Sequence, residues 1–332
     1  MTMRLFKKVF YFIIAAIFFV VPVYGHHGFT TIFDMNSVLT FQGKVSRYDW
    51  RNPHVYIYVE VPDATGALLE WQLEGDPTPI MTRSGWTPSI LTPGDQVAVR
   101  IHPDRNSERN HGLLVSLTKE DGVFLTPRSG SSTSNNSASS LEGVWDGLPG
   151  FSTRTFIYGA LTEEGLAAQA TYTEADNPTS DCIPFPLPTI VAAPYLNQIE
   201  ILEDRIVVRT ELFQVERTFY TDGRQHPENG QRTNQGHSIA WWEDDVLIVD
   251  TTLFSDNRAG NRNGIPSGPQ KHTIERYRLS DDGTQLLINY VIEDPQYLID
   301  PMTGSMTWNY APEREPMPFE CNPDNAKLYE VQ

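Results

Sequence analysis

The feature that most restricts the fold is an alternation. Val55, Ile57, Val59 and Val61 are interleaved with Tyr56, Tyr58 and Glu60. A period of two sends one set of side chains to each face of an extended strand. Residues 39–50 and 67–74 read as two further strands, with Asp63-Ala64-Thr65-Gly66 as the turn before the second of them. The pattern then breaks. Residues 77–84 suit a short helix, with Pro77 in its first turn and Gly85 ending it. Leu91-Thr92-Pro93-Gly94-Asp95 is a turn, residues 96–102 and 113–118 are strands, and Asp121-Gly122 turns again. Three strands, a helix and two strands is the order of a five-stranded OB-like barrel, which binds ligands through one sheet face and its loops.

Residues 126–140 are rich in Ser, Asn, Gly and Thr. Too little apolar surface is present there to offset ordering, so the stretch reads as a disordered linker between residues 26–125 and 141–332. The second region opens on Gly143-Val144-Trp145, which resembles the start of lipocalin barrels. Residues 162–172 suit a helix capped by Thr162, with Glu163 and Glu164 in its first turn. Strands are expected at 198–202, 205–212, 214–220, 237–243, 246–252, 272–279, 285–293 and 305–310, with Asp244-Asp245 and Asp281-Asp282-Gly283 as tight connections. The fold class is therefore all-β: an OB-like barrel, then a larger antiparallel meander or barrel. Trp241, Trp242, Trp308, Tyr277, Tyr290 and Tyr310 read as core.

The first 25 residues have the form of a secretory signal. Arg4, Lys7 and Lys8 precede an apolar run at 9–21, and Val23 and Gly25 are the small residues of a cleavage site. A periplasmic or secreted protein with no transmembrane segment after cleavage is expected. Cleavage after Gly25 would make His26 the first residue and move the formal charge from −17 to −20. Such an acidic chain lacks the Lys and Arg that nucleic-acid affinity requires, and it favours cations. Cys182 and Cys321 are the only cysteines. In an exported chain they suit a disulfide, with two buried thiols or a soft metal pair as the alternatives.

Several motifs carry resemblances. His26-His27-Gly28-Phe29, Phe33-Asp34, Gly43-Lys44-Val45, Trp50-Arg51-Asn52-Pro53-His54, Gly85-Trp86 and Leu91-Thr92-Pro93-Gly94-Asp95 resemble a bacterial family of exported domains of unknown function. Glu216-Arg217-Thr218, Asp222-Gly223-Arg224, Gly236-His237-Ser238 and the run from Trp242 to Leu247 resemble a second uncharacterised exported group. That group commonly has Gly at the position of Asp244 and Thr at that of Val246. Neither resemblance implies an activity.

Two constellations could carry chemistry. A mature N-terminal His26 can chelate through its amine and its ring, and His54 would complete a brace around copper or another divalent ion, with His27 as an auxiliary ligand. The bland alternative is a frayed His-His terminus with His54 capping a strand. The loop residues His102 and His111 read as solvent-facing. In the second region, a two-residue hairpin at Asp244-Asp245 would put His237 opposite Thr252 and Ile239 opposite Asp250. His237 and Asp250 then become diagonal neighbours, with His226 and His272 delivered to the same rim by loops. His237 and Asp250 are the residues an enzyme would use, or simply a tie across the rim. Arg217, His272 and Glu275 are candidates for holding a cofactor, with an interior ion pair of Arg217 with Glu275 and Arg276 a further possibility. The expectation is an exported accessory protein whose partner is a metal ion or small molecule, copper first. The rivals are a metal-free module for a small apolar or saccharide ligand and, more distantly, a hydrolase-type enzyme. The residues leave open whether any protein partner exists.

Overall fold

The computed structural model describes residues 32–128 and 136–326. Its first sheet is built from β1 (Leu39–Asp49), β2 (Tyr56–Pro62), β3 (Leu68–Glu74), β4 (Gln96–Pro103), β5 (His111–Lys119) and the short β6 (Phe124–Leu125). The order is β3-β2-β1-β4-β5-β6, and a parallel pairing of β3 with β5 closes β1–β5 into a five-stranded barrel. The alternation works as expected on one face: Val55, Ile57, Val59 and Leu73 fill the barrel with Val97, Val99, Ile101 and Leu117. The opposite face is covered too, since Tyr56 and Tyr58 are buried and the Arg47 guanidinium lies 3.7 Å over the Tyr58 ring.

A helix, α1 (Thr78–Arg83), follows β3 with Pro at its first turn. Asn52 organises its start: its side-chain oxygen accepts from the Thr78 amide at 2.9 Å and from the Thr78 hydroxyl at 3.1 Å. Met81 packs into the first core and Ile80 into the second. The two units are joined further by a bidentate pair of Arg83 with Glu211, at 2.9 and 2.6 Å.

The second sheet contains β7 (Gly143–Asp146), β8 (Thr155–Ile157), β9 (Leu196–Ile201), β10 (Arg205–Thr210), β11 (Val215–Tyr220), β12 (His237–Glu243), β13 (Val246–Thr252), β14 (His272–Leu279), β15 (Gln285–Glu293) and β16 (Met302–Tyr310). Neighbours run β15-β14-β13-β12-β11-β10-β9-β7-β16-β8, and β15–β16 pairing closes nine of them into a barrel. β8 is left on the edge of β16. The helix α2 (Glu163–Ala170) is capped as expected, Thr162 accepting from the Gly165 amide at 3.0 Å.

The sheet is not antiparallel throughout. β11 and β12 pair in parallel at Phe219↔Ser238 and Tyr220↔Ile239, because the 221–236 loop carries the chain back before β12 begins. Trp241 and Trp242 are exposed, not core, since β12 runs past the end of β11 and leaves them uncovered. Parts of the expected linker are fixed: Thr126 accepts from the Trp86 indole, Arg128 pairs with Asp76, and the Ala138 amide donates to Gly283. Residues 129–135 lie outside the described set.

Cys182 and Cys321 form a disulfide, with Cα atoms 5.9 Å apart across 139 positions. It fixes a C-terminal segment that leans on the first barrel, where Asn322 donates to the Asn52 carbonyl and Asn325 to that of His54. Among the described residues no helix is long and apolar enough to cross a membrane.

Candidate functional site

The first barrel concentrates its titratable groups at one corner. Pro53 ends the turn before β2, which places His54 two residues ahead of that strand. Its Nδ1 lies 3.2 Å from the Gly75 carbonyl and 3.2 Å from Glu74 Oε1. Glu74 ends β3, and the β3–β5 closure sets it beside the start of β5. Its other oxygen is 3.7 Å from His111 Nε2, and His111 Nδ1 is 3.0 Å from Asp104 Oδ2. A chain His54–Glu74–His111–Asp104 results. Glu74 is 5% exposed, Asp104 9% and His111 4%. The expectation that His111 faces solvent is therefore corrected. His102 is half-buried, with Nδ1 2.8 Å from the Ser37 carbonyl.

Two carboxylates are thus nearly removed from water beside two imidazoles. Burying a carboxylate costs several kcal/mol unless a proton, a cation or hydrogen bonds compensate. The Arg109 guanidinium approaches only to 3.9 Å of Asp104. The Asn106 amide donates to Asp104 at 2.8 Å. If His111 Nδ1–H donates to Asp104, its Nε2 carries a lone pair towards Glu74 unless the ring is protonated; that atom is buried without a hydrogen-bond partner among the described residues.

The incoming chain runs along the same corner. Ile32 accepts from the Arg105 amide and Asp34 donates to Pro103, so Phe33 bridges Asp104 in antiparallel fashion. The Phe33 ring is fully buried 4.9 Å from that of His111. His26 and His27, the other two metal candidates, lie outside the described residues. Among the described residues no three of His, Cys, Asp and Glu are arranged to hold a metal ion.

The second barrel brings the other histidines together as the chain path requires. The β12–β13 register is His237↔Thr252, Ile239↔Asp250 and Trp241↔Ile248. His226 Nδ1 is 2.9 Å from His237 Nδ1, and its Nε2 is 3.3 Å from Asp250 Oδ1. The same Asp250 oxygen is 2.9 Å from His272 Nε2, and His272 Nδ1 is 3.1 Å from Glu293. His237 and Asp250 are therefore linked through His226. Tyr220 stacks on His237 at 5.3 Å.

Electrostatics divides this cluster. The Asp250 hydrogen bond, with that of Glu293, outweighs burial and raises His272 to about 9. Burial first, then the charges of His226 and Arg224, lower His237. Burial raises Asp250, but the hydrogen bonds and charges of His272 and His226 prevail and hold it below the usual carboxylate range. At neutral pH one imidazolium, one carboxylate and one neutral imidazole coexist, an arrangement able to give and take a proton. The whole group lies on the outer face of the sheet, because Thr251, Thr273 and Glu275, of opposite parity, are the fully buried ones.

Glu275 and Arg217 face the barrel interior. Two parallel contacts join them, Arg217 Nη1 to Glu275 Oε1 at 3.0 Å and Nη2 to Oε2, and the Tyr277 hydroxyl donates to Glu275 at 2.7 Å. The interior ion pair is real, but Arg276 points the other way and is exposed. His272 is on the outer face, so Arg217, Glu275 and His272 do not share one site. Sequence reasoning missed Glu74, Asp104 and the fully buried Lys271. The Lys271 ammonium donates to the carbonyls of Leu187 and Gly260 at 2.6 and 2.9 Å, and burial lowers it to about 7.

No curated protein matches the chain. Among solved structures, it is similar to a crystal structure of a mutant of the fluorescent protein UnaG, at 12% identity over 52% of this chain and 96% of that one. The TM-score of 0.25 is too low for that likeness to inform fold or ligand. Residues 15–114, which hold His26, His27, His54, Glu74, Asp104 and His111, match the model of a family of unknown function (DUF6152), so the first barrel is similar to an uncharacterised domain family, and the match stops short of the second barrel.

Proposed function

We propose that this is an exported accessory protein that binds a divalent metal, copper first, through a mature N-terminal His26 and the corner of the first barrel. The amine and ring of His26 supply two donors, and His54 supplies a third, with His27 auxiliary. The observation that carries the reading is the path of Ile32–Asp34 along Pro103–Arg105, beside the buried chain of Asp104, His111, Glu74 and His54. Six positions separate His26 from Ile32. An extended segment of that length reaches up to about 20 Å, ample to return to this corner. A cation is the species that two buried carboxylates and two imidazoles attract. Imidazole and amine nitrogens favour copper among first-row divalent ions.

The test is elemental analysis of protein exported and processed by its own signal, with intact mass to fix the first residue. A chain beginning at His26 with one copper or other transition metal per molecule supports the reading. A chain that retains Met1, or one that begins at His26 and neither holds nor takes up such a metal, sinks it.

A further inference from the structure

The edge strand β8 carries an unusual run. Side chains alternate across it, so Arg154, Phe156 and Tyr158 share one face while Thr155 and Ile157 are exposed on the other. The first face looks towards Tyr290 of β15, whose hydroxyl donates to the Thr155 carbonyl at 3.0 Å. Gly304, opposite Phe156 in the register, makes this possible: a Cβ there would stand 2.2 Å from the Tyr290 oxygen. The Arg154 guanidinium lies 3.4 Å over the Phe151 ring and 5.8 Å from that of Phe156. Arg262 reaches the same Phe156 ring from another loop, at 4.0 Å.

These arginines lack what the buried arginines elsewhere have. Arg217 is paired with Glu275, Arg83 with Glu211, Arg314 with Asp146. Arg128, 5.3 Å from the Phe151 ring, is held by Asp76. Among the described residues no carboxylate lies within ion-pair distance of Arg154 or Arg262, in a chain with 42 acidic residues to 25 basic. Arg154 Nε and the Tyr158 hydroxyl are buried with no hydrogen-bond partner there. Arg262 and Asn263 lie near Tyr158 without meeting hydrogen-bond geometry. Burial, then the charges of Arg262 and Arg128, lower Arg154 to about 10.

Arg262 is also held in place. It and Asn263 adopt left-handed φ of 69° and 56°, followed by Gly264 at 71°. Non-glycine residues persist there only when their surroundings impose it. Arg258 donates to the Gly264 carbonyl at 2.9 Å and Gln169 of α2 to that of Asn263 at 3.0 Å. Two like charges are thus fixed side by side with buried donors unused, the pattern of a site awaiting an anion.

We propose that Arg154, Arg262 and Tyr158 form a binding site for an oxyanion head group, a carboxylate or a phosphate, at the β8 edge of the second barrel. The guanidiniums supply charge-assisted donors, the Tyr158 hydroxyl a neutral one, and Phe151 and Phe156 the apolar walls. The site is independent of the metal proposed for the first barrel.

The test is calorimetric titration of the full mature chain with benzoate and, separately, with inorganic phosphate at constant ionic strength. One saturable site for either probe is expected. Benzoate alone would assign a carboxylate and phosphate alone a phosphate. Arg154→Gln and Arg262→Gln should each weaken binding roughly tenfold or more, whereas Arg205→Gln, at an arginine paired with Asp204 elsewhere, should leave it unchanged. Tyr158→Phe removes one oxygen and keeps the test open if an arginine variant fails to fold; it should weaken binding about threefold. No saturable binding of either probe, or affinity unchanged in Tyr158→Phe or in both arginine variants, overturns the proposal.

Discussion

The two barrels treat buried charge in opposite ways. The first has an apolar interior and gathers its ionisable groups at one corner, where two nearly buried carboxylates meet two imidazoles and one distant guanidinium. The second carries a charge pair through its interior, Arg217 with Glu275, matched one to one and closed by Tyr277. On its outer face His226 and His272 share Asp250, whose carboxylate balances the His272 imidazolium. A matched pair is a structural device. A mismatch invites a ligand of the opposite sign: a cation at the first corner, an anion at Arg154 and Arg262.

The largest effect expected is on the matched pair. Arg217→Ala would strand Glu275, which is 0% exposed, and should cost about 3–5 kcal/mol. Arg209→Ala breaks an ion pair with Glu200 and Glu216 on the surface and should cost less than about 1 kcal/mol. Urea unfolding of the two variants measures the difference; similar costs would remove the distinction between interior and surface charge.

At the mismatched corner the effect should fall on binding. Glu74→Gln keeps the shape and removes the charge, and should weaken copper affinity by roughly tenfold or more, as loss of an outer partner of a metal site does. Asp250→Asn should leave that affinity unchanged. Competition titration against a chelator reads both, and equal effects would place the metal elsewhere.

The outer-face cluster should respond to pH. His272 is raised above 6.5 to about 9, so the stability it contributes is complete below pH 6.5 and is lost as pH rises through about 9. Imidazole NMR should show His272 titrating near pH 9 and His237 below its usual value. In Asp250→Asn the His272 titration should fall towards 6.5, because its largest cause is gone. A His272 titration already near 6.5 in the native chain would contradict the geometry.

The smallest effect concerns the β12–β13 hairpin, whose register the Asp244-Asp245 pair made legible. Asp244 has a φ of 53°, the region where glycine is at no disadvantage. Asp244→Gly should change stability by under about 1 kcal/mol, in the stabilising direction. Thermal unfolding measures it, and marked destabilisation would mean the Asp side chain has a role not seen in its contacts.

What was legible followed from local pattern. Alternation located β2, and tight turns located β12 to β15 with their bounds. What was not legible depends on contacts between distant segments. His111 looked like a loop residue because the strand there begins two positions early, drawn out by parallel pairing with Gln72 of β3. Glu74 and Asp104 gained meaning only through that closure. The parallel step from β11 to β12 left no periodic trace, and β8 is too short, at three residues, to display one. Arg154 borders β8, and Arg262 lies in the long loop between β13 and β14, where no periodic pattern reads. The His237–Asp250 neighbourhood was readable, but the insertion of His226 between them came from the path of a 16-residue loop between β11 and β12.

The central claim is that the first barrel's corner and a free His26 amine bind one metal together. The most direct measurement is Cu(II) titration, followed by electron paramagnetic resonance, of protein beginning at His26, compared with a variant bearing one extra residue before His26 and with His54→Ala. The account predicts one tight site whose affinity falls at least about tenfold, and whose spectrum changes, in both altered proteins. Equal affinity and an identical spectrum in the extended chain would show that the amine is not a ligand and would contradict the account.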